Sequence, residues 1–205
     1  MKFPFLESFI IFILWLHYRF RKNEKTVSES TRSFWEKEAR ANATRKKPLD
    51  DLRYITIPLD SFPMELEKDD PEIADCIAQI RSLSETKIVN FTGISNTDLK
   101  LQYGAPNMPV LSQYDQNYTF LARTLQKWAS LLYSKGYESE TKTILEFAIQ
   151  TNTDVSGSYK LLASIYHQNH EQDKIEKLIE TAKAIPSPLQ NTIVRTLQEF
   201  DPSTD

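Results

Sequence analysis

The sequence predicts a mainly α-helical protein: an N-terminal membrane helix, a charged neck, an irregular middle segment and a C-terminal array of antiparallel helix pairs. Three observations lead to this fold class. Residues 9–16 are apolar without interruption. Apolar residues between positions 120 and 200 recur at helical spacing. Only one run, residues 52–59, is clearly rich in the β-branched and aromatic residues typical of strands.

The composition excludes several classes of chemical site. The 205 residues include only 4 glycines, and no two are close enough to form the phosphate-binding loop of a Rossmann or P-loop protein. The single cysteine, Cys76, excludes an intramolecular disulfide and a cysteine-based zinc site. His167 and His170 could share a helix face, but a metal site would need further ligands. We therefore expect no cofactor, no metal and no catalytic residue, which argues against an enzyme.

The charge is distributed unevenly along the chain. Residues 19–53 contain 11 Lys and Arg against 6 Asp and Glu, which is +5, whereas residues 54–205 contain 13 against 21, which is −8. This asymmetry predicts a basic neck next to an acidic body. The body has no basic surface suited to nucleic acid, so we expect no nucleic-acid partner.

Residues 1–20 are predicted to be a membrane anchor. The apolar run extends from residue 3 to 20, interrupted by Pro4, Glu7, Ser8, His17 and Arg19. A helix over these 18 residues would be roughly 27 Å long, just short of a bilayer's hydrocarbon core. Trp15 and Tyr18 resemble interfacial aromatics, and the basic flank after them predicts that the rest of the chain stays cytosolic at the cell membrane. A spanning helix, an interfacial helix, a cleaved signal and a helix buried in the folded body are the alternatives.

Residues 21–51 are predicted to form the basic neck, with one short helix over 31–47 that ends at Pro48. Phe34 and Trp35 in this helix are expected to dock on the folded body. The basic residues at both ends of the neck are expected to contact anionic lipid headgroups. They are Arg19, Arg21, Lys22, Arg45, Lys46 and Lys47.

The middle segment, residues 52–117, is predicted to mix extended and helical structure. Its extended run, 52–59, has only residues 87–91 as a candidate for pairing. Asp70 and Pro71 predict the start of a helix over 72–83 with Cys76 on its buried face. Ser95 or Asn96 is expected to cap a short helix that ends at Gly104. The following stretch, up to residue 118, contains two prolines and looks irregular.

Residues 118–200 contain the strongest internal signal, a pattern that recurs at an offset of 34 residues. Each unit contains two amphipathic stretches, and Gly136 marks the turn between the first two. Four identities accompany the apolar pattern: Ala129 with Ala163, Ser130 with Ser164, Glu146 with Glu180, and Ala148 with Ala182. Residues 201–205 are expected to be a disordered tail.

A helix pair repeated every 34 residues resembles the tetratricopeptide repeat family. The resemblance covers about 80 residues and implies two repeats with a capping helix near 189–200. The four alanines above stand at the family's small positions, where helices approach closely. Thr141 and Ile175 depart from the family's usual alanine, and His170 replaces the turn glycine. The whole chain is also similar to small membrane-anchored bacterial proteins, but this similarity does not indicate any particular activity.

The resemblance implies a concave peptide groove lined by the first helix of each repeat. Such a module would bind an unknown protein partner, and the cations in the groove favour an acidic or carboxylate-bearing peptide. An enzyme with an unrecognised site in residues 52–118, or a structural spacer in a membrane complex, are the alternatives. The residues expected to line the groove are Arg123, Gln126, Lys127, Tyr133, Lys160, Ser164, His167, Gln168 and Arg195.

Overall fold

The computed structural model describes residues 4–200, and within the first helix the side chains of residues 9, 12–19 and 31–43. No strand forms in this range, and the mainly α-helical fold class is confirmed. Residues 1–3 of the predicted anchor and the predicted tail, 201–205, lie outside the described residues. The helices are α1 (Pro4–Ala43), α2 (Pro71–Ser84), α3 (Asn96–Tyr103), α4 (Met108–Ser134), α5 (Glu138–Gln150), α6 (Ser156–Gln168), α7 (Gln172–Lys183) and α8 (Gln190–Gln198).

The chain divides into two compact units. The N-terminal unit comprises the chain up to Pro48 together with Ser95–Met108. The main unit comprises Leu49–Ile94 and the chain from Pro109 onward. Each unit is therefore built from two segments that are separated in the sequence.

In the N-terminal unit, α1 packs along α3. Lys37 Nζ donates a hydrogen bond of 2.6 Å to Asp98 Oδ1, and Lys100 forms an ion pair with Glu38. Ser95 caps α3, as the sequence predicted, by accepting a hydrogen bond from Asp98 N. Gly104 ends α3 with φ of 92°, and a Cβ there would lie 2.1 Å from the carbonyl oxygen of Arg45. Only glycine satisfies both the positive φ and this close backbone contact.

The helix α1 is continuous over 40 residues, where the sequence predicted an anchor helix and a separate short helix. No glycine or proline interrupts residues 5–47, so nothing local breaks the helix. Within the part of the chain that the structure describes, no helix combines the length and apolar character needed to cross a membrane. The predicted spanning helix over residues 1–20 therefore receives no support from the structure.

The aromatic pair of α1 is exposed. Phe34 and Trp35 are 54% and 63% accessible, and their rings contact each other edge to face with centroids 5.4 Å apart. Within the N-terminal unit both rings are thus uncovered, and their docking on the folded body stays a prediction. They precede the stretch of α1 around Lys37, Glu38 and Ala41 where α3 packs, so no other element of this unit covers them.

The core of the main unit surrounds Trp128 of α4, which is fully buried and contacts Phe62 with ring centroids 5.7 Å apart. The helix α2 extends one residue beyond the predicted 72–83 at each end, and the Asp70 carboxylate caps it by accepting from Glu72 N and Ile73 N. Cys76 on α2 is fully buried, as predicted. The run 52–59 forms no strand, but Ile55 N donates a hydrogen bond of 2.9 Å to Ile88 O.

The helix α4 corrects the prediction of an irregular segment up to residue 118. It begins at Met108, and Pro109 lies in its first turn, where a backbone N–H has no partner within the helix. Proline at this position therefore starts a helix instead of breaking one. The predicted domain boundary at residue 118 falls inside α4.

Two helix hairpins, α4–α5 and α6–α7, turn at positions 34 residues apart. Gly136 and His170 have positive φ values of 88° and 57°. The residues after them donate equivalent hydrogen bonds: Tyr137 N to Leu132 O at 3.0 Å, and Glu171 N to Tyr166 O at 2.9 Å. All four alanines at the repeated small positions are fully buried. The last helix, α8, packs against α6 and α7 and buries Ile193 and Leu197.

Candidate functional site

The expected groove residues lie on α4, α6 and α8. Ser158 Oγ of α6 donates a hydrogen bond of 2.7 Å to Gln126 Oε1 of α4. Tyr133 OH of α4 donates one of 3.2 Å to Gln168 Oε1 of α6. The ring of His167 lies 6.0 Å from that of Phe200, just beyond α8. Gln126 and Tyr133 thus connect neighbouring helices, and His167 contacts the chain end that follows α8.

Four cations were expected in the groove, and they fall into two groups. Arg123 on α4, Lys160 on α6 and Arg195 on α8 are exposed, and none makes an ion pair with a described residue. Lys127 differs, because its Nζ lies 3.9 Å from Glu72 Oε1 and 3.9 Å from Asp75 Oδ2 on α2. The charge of Lys127 is therefore partly balanced within the main unit.

The residues expected to contact lipid lie on α1 and directly after it. Arg45 and Lys46 are exposed and make no ion pair with the residues that the structure describes. Lys47 differs from them, because its Nζ already donates a hydrogen bond of 2.9 Å to Leu101 O within the N-terminal unit. The Arg19 guanidinium lies 5.5 Å from the centre of the Trp15 ring. The side chains of Arg21 and Lys22 lie outside the described ones.

A cavity of about 360 Å³ adjoins Arg123 in the main unit. Sequence reasoning identified Arg123 but missed the other lining residues. They come from four separate parts of the chain, and no motif links them. The lining residues are Phe91, Thr92, Asp115, Tyr118, Thr119, Ala122, Arg123, Asp154, Val155, Ser156 and Leu189.

Two carboxylates line this cavity, and each is held by one hydrogen bond. Asp115 Oδ1 accepts from Phe91 N at 3.3 Å, and burial raises the pKa of Asp115 above its ordinary value. Asp154 Oδ2 accepts from Ser187 Oγ at 2.8 Å. Neither carboxylate forms an ion pair with Arg123 in the described structure. The Arg123 guanidinium and the two carboxylates thus line one cavity without pairing with each other.

The inner part of the cavity is apolar. Tyr118, Ala122 and Phe91 are its most buried lining residues, at 3%, 5% and 6% exposure. Tyr118 OH donates a hydrogen bond of 3.1 Å to Thr151 O, and burial raises the pKa of Tyr118 to about 12. This hydroxyl is therefore neutral at physiological pH, and its proton is already used in the hydrogen bond to Thr151 O.

The cavity and its surroundings do not resemble a metal centre. Among the side chains that the structure describes, no group of three or more His, Cys, Asp or Glu is placed to hold a metal ion. The cavity lining contains no His, Cys or Lys. Comparison of the chain with models of protein families, with curated proteins and with solved structures finds no match.

Proposed function

We propose that this chain is a membrane-tethered interaction module of the tetratricopeptide kind, which binds an acidic or carboxylate-bearing peptide on the exposed face of α4, α6 and α8. The observation that carries the proposal is the set of unpaired cations on that face. Arg123, Lys160 and Arg195 have no ion-pair partner among the described residues, although the chain's net charge is −3. An acidic ligand would supply the missing carboxylates.

The 34-residue spacing of the hairpins supports the repeat assignment. The turns at Gly136 and His170 share a left-handed backbone conformation and equivalent hydrogen bonds. Ala129 and Ala163 are buried at equivalent positions of α4 and α6. Stacked helix pairs of this kind present a continuous face made from the first helix of each pair, which suits an extended peptide.

The exposed apolar side chains of α1 support the tether. Phe12, Ile13, Leu14 and Trp15 are 53%, 46%, 64% and 53% exposed. Successive residues of an α-helix are separated by about 100° around its axis, so these four point to all sides. A helix that is apolar on all sides is favoured in a non-aqueous environment. We propose that lipid supplies it, with the rest of the chain on the cytosolic side of the cell membrane.

A binding module accounts for the cavity better than the alternative of an enzyme. Residues 91, 92 and 115 of the middle segment do line it. None of its lining hydroxyls, however, makes a hydrogen bond to either carboxylate in the described structure, since Asp115 accepts from a backbone N–H and Asp154 from Ser187, which lies outside the lining. A nucleophile paired with an oriented base is lacking in this lining.

The test uses the full-length protein in non-ionic detergent and fluorescein-labelled pentapeptides. The acidic peptide Glu-Glu-Ala-Glu-Glu should bind, as measured by fluorescence polarisation, whereas Gln-Gln-Ala-Gln-Gln should not. The double variant Arg123→Gln/Lys160→Gln should weaken binding at least about tenfold, since each lost charged hydrogen bond contributes about 1.5–3 kcal/mol. Binding should also weaken as salt rises.

The matched control is Arg81→Gln/Lys177→Gln. These two cations are also exposed and make no ion pair with described residues, but Arg81 lies on α2 and Lys177 on α7. The control removes the same charge and should keep wild-type affinity within about twofold. Equal loss in both double variants would mean that the peptide responds only to net charge. No binding of the acidic peptide would favour the structural spacer.

A further inference from the structure

The cavity beside Arg123 is apolar inside and has both polar and apolar residues at its mouth. Its most buried lining residues are Tyr118, Ala122 and Phe91, whereas Thr119, Arg123 and Leu189 are exposed. Its volume of about 360 Å³ lies near the lower end of the range for ligand pockets. Such a space suits a single large side chain.

The charges of the lining decide which part of a ligand can enter. Asp115 and Asp154 are half-buried, and each has one carboxylate oxygen that accepts no hydrogen bond from a described residue. A ligand carboxylate deep in the cavity would be repelled by both, so it is favoured only at the exposed guanidinium of Arg123. An apolar side chain meets no such repulsion. The N–H groups of the peptide main chain next to it can donate hydrogen bonds to the two carboxylate oxygens that have no partner.

We infer that the cavity is a specificity pocket for the bound peptide and takes one large apolar side chain that is flanked by acidic residues. Main-chain N–H groups beside that side chain donate hydrogen bonds to Asp115 and Asp154, and a neighbouring carboxylate of the peptide binds Arg123. This inference rests on the proposed function, because it requires an acidic peptide on the cationic face. It adds the sequence character of the peptide: acidic residues on both sides of a large apolar residue.

The experiment compares two probes on full-length protein in non-ionic detergent. The probes are fluorescein-labelled Glu-Glu-Phe-Glu-Glu and Glu-Glu-Ala-Glu-Glu, which carry the same charge. The phenylalanine peptide should bind at least about tenfold more tightly, because the phenylalanine ring buries apolar surface in the cavity that alanine does not have. Equal affinities would overturn the inference and leave the proposed function standing. Failure of both peptides to bind would overturn the inference and the proposed function together.

Variants of the lining identify the cavity as the source of the preference. Thr119→Trp places an indole at the mouth from an exposed position, and it should bring the ratio of the phenylalanine peptide's affinity to the alanine peptide's affinity close to 1. Gln116→Trp, exposed on the same helix but outside the lining, should keep the ratio. Leu189→Ala shortens an exposed wall residue and should lower the ratio about threefold. A full preference in both Thr119→Trp and Leu189→Ala would overturn the inference.

Discussion

Gly136 and His170 occupy the same position in two successive helix hairpins and share a left-handed backbone, with φ values of 88° and 57°. Glycine adopts this conformation without strain, whereas a residue with a Cβ is disfavoured by about 1–2 kcal/mol. A Cβ at Gly136 would meet no atom within 4 Å, so backbone strain alone decides the effect of a substitution there.

Substitutions at these two turns should therefore change stability in opposite directions. Gly136→Ala should lower the free energy of unfolding by about 1 kcal/mol, because alanine must adopt the left-handed conformation. His170→Gly should raise it by up to about 1 kcal/mol, since relief of strain exceeds the added entropy of the unfolded chain. Urea unfolding followed by circular dichroism measures both. A loss of stability in both variants would contradict this account.

The buried alanines of the hairpins should not tolerate larger side chains. Ala129→Leu and Ala148→Leu should each destabilise the protein by about 1–3 kcal/mol, because both alanines are fully buried and leucine would overpack the helix contacts. Ser130→Leu is the control on the same helix, at an exposed position directly after Ala129. It should change the free energy of unfolding by less than about 0.5 kcal/mol. Equal effects in all three variants would mean that Ala129 and Ala148 do not lie at close contacts.

Acid should weaken the main unit through Asp70. The hydrogen bond from Lys135, and then the one from Ile73 N, lower the pKa of Asp70 below its ordinary value of 3.8. A carboxylate with a lowered folded-state pKa contributes stability that is present above the unfolded-state pKa and is lost as the pH falls through the folded-state pKa. Stability should therefore decrease from about pH 5 to about pH 3.

The variant Asp70→Asn separates the charge from the helix cap. Asparagine still accepts hydrogen bonds at the start of α2, but it carries no charge to titrate. Its free energy of unfolding should fall less steeply between about pH 5 and pH 3 than that of the wild type. Asp69→Asn changes the exposed neighbour, which makes no ion pair with a described residue, and should keep the wild-type slope. Identical slopes in the two variants would exclude Asp70 as a source of the acid sensitivity.

Membrane attachment should depend on the exposed apolar residues of α1. Phe12→Ser/Leu14→Ser should shift the protein from the membrane to the soluble fraction, because each residue then loses apolar surface that lipid would cover. The control Phe34→Ser/Trp35→Ser alters two equally exposed aromatics outside the proposed tether and should stay in the membrane fraction. Extraction at alkaline pH then distinguishes an interfacial helix, which is released, from a spanning helix, which is retained. Recovery of the unaltered chain in the soluble fraction would refute the tether.

Local signals at helix ends made α2 and α3 predictable from the sequence. Asp70 with Pro71, Ser95 and Gly104 act on backbone groups within four residues, so their effect does not depend on the rest of the fold. The first turns of α4 were not predictable by the same reasoning. Between Met108 and Tyr118 only Leu111 is a buried apolar residue, so the amphipathic pattern is weak there. Proline is compatible with a helix start as well as with irregular structure, so Pro109 alone does not indicate the first turn of α4.

The candidate site was only partly accessible from the sequence. Periodicity brings Arg123 and Lys160 to exposed helix faces, because exposure follows from the helical repeat. The partners of Lys127 could not be foreseen, since Glu72 and Asp75 are roughly fifty residues away and belong to another helix. The same limit applies to the cavity. Its carboxylates, Asp115 and Asp154, are brought to one lining only by the packing of the folded chain.

Because Cys76 is buried, its chemical labelling reports how often α2 transiently separates from the rest of the main unit. It is the single thiol of the chain and lies fully buried on α2. Burial also raises the pKa of this thiol, so little reactive thiolate exists while the helix stays in place. A water-soluble alkylating reagent should therefore modify the native protein only during excursions in which α2 separates from its neighbours. The labelling rate, followed by mass spectrometry, then gives the frequency of those excursions without any engineered probe.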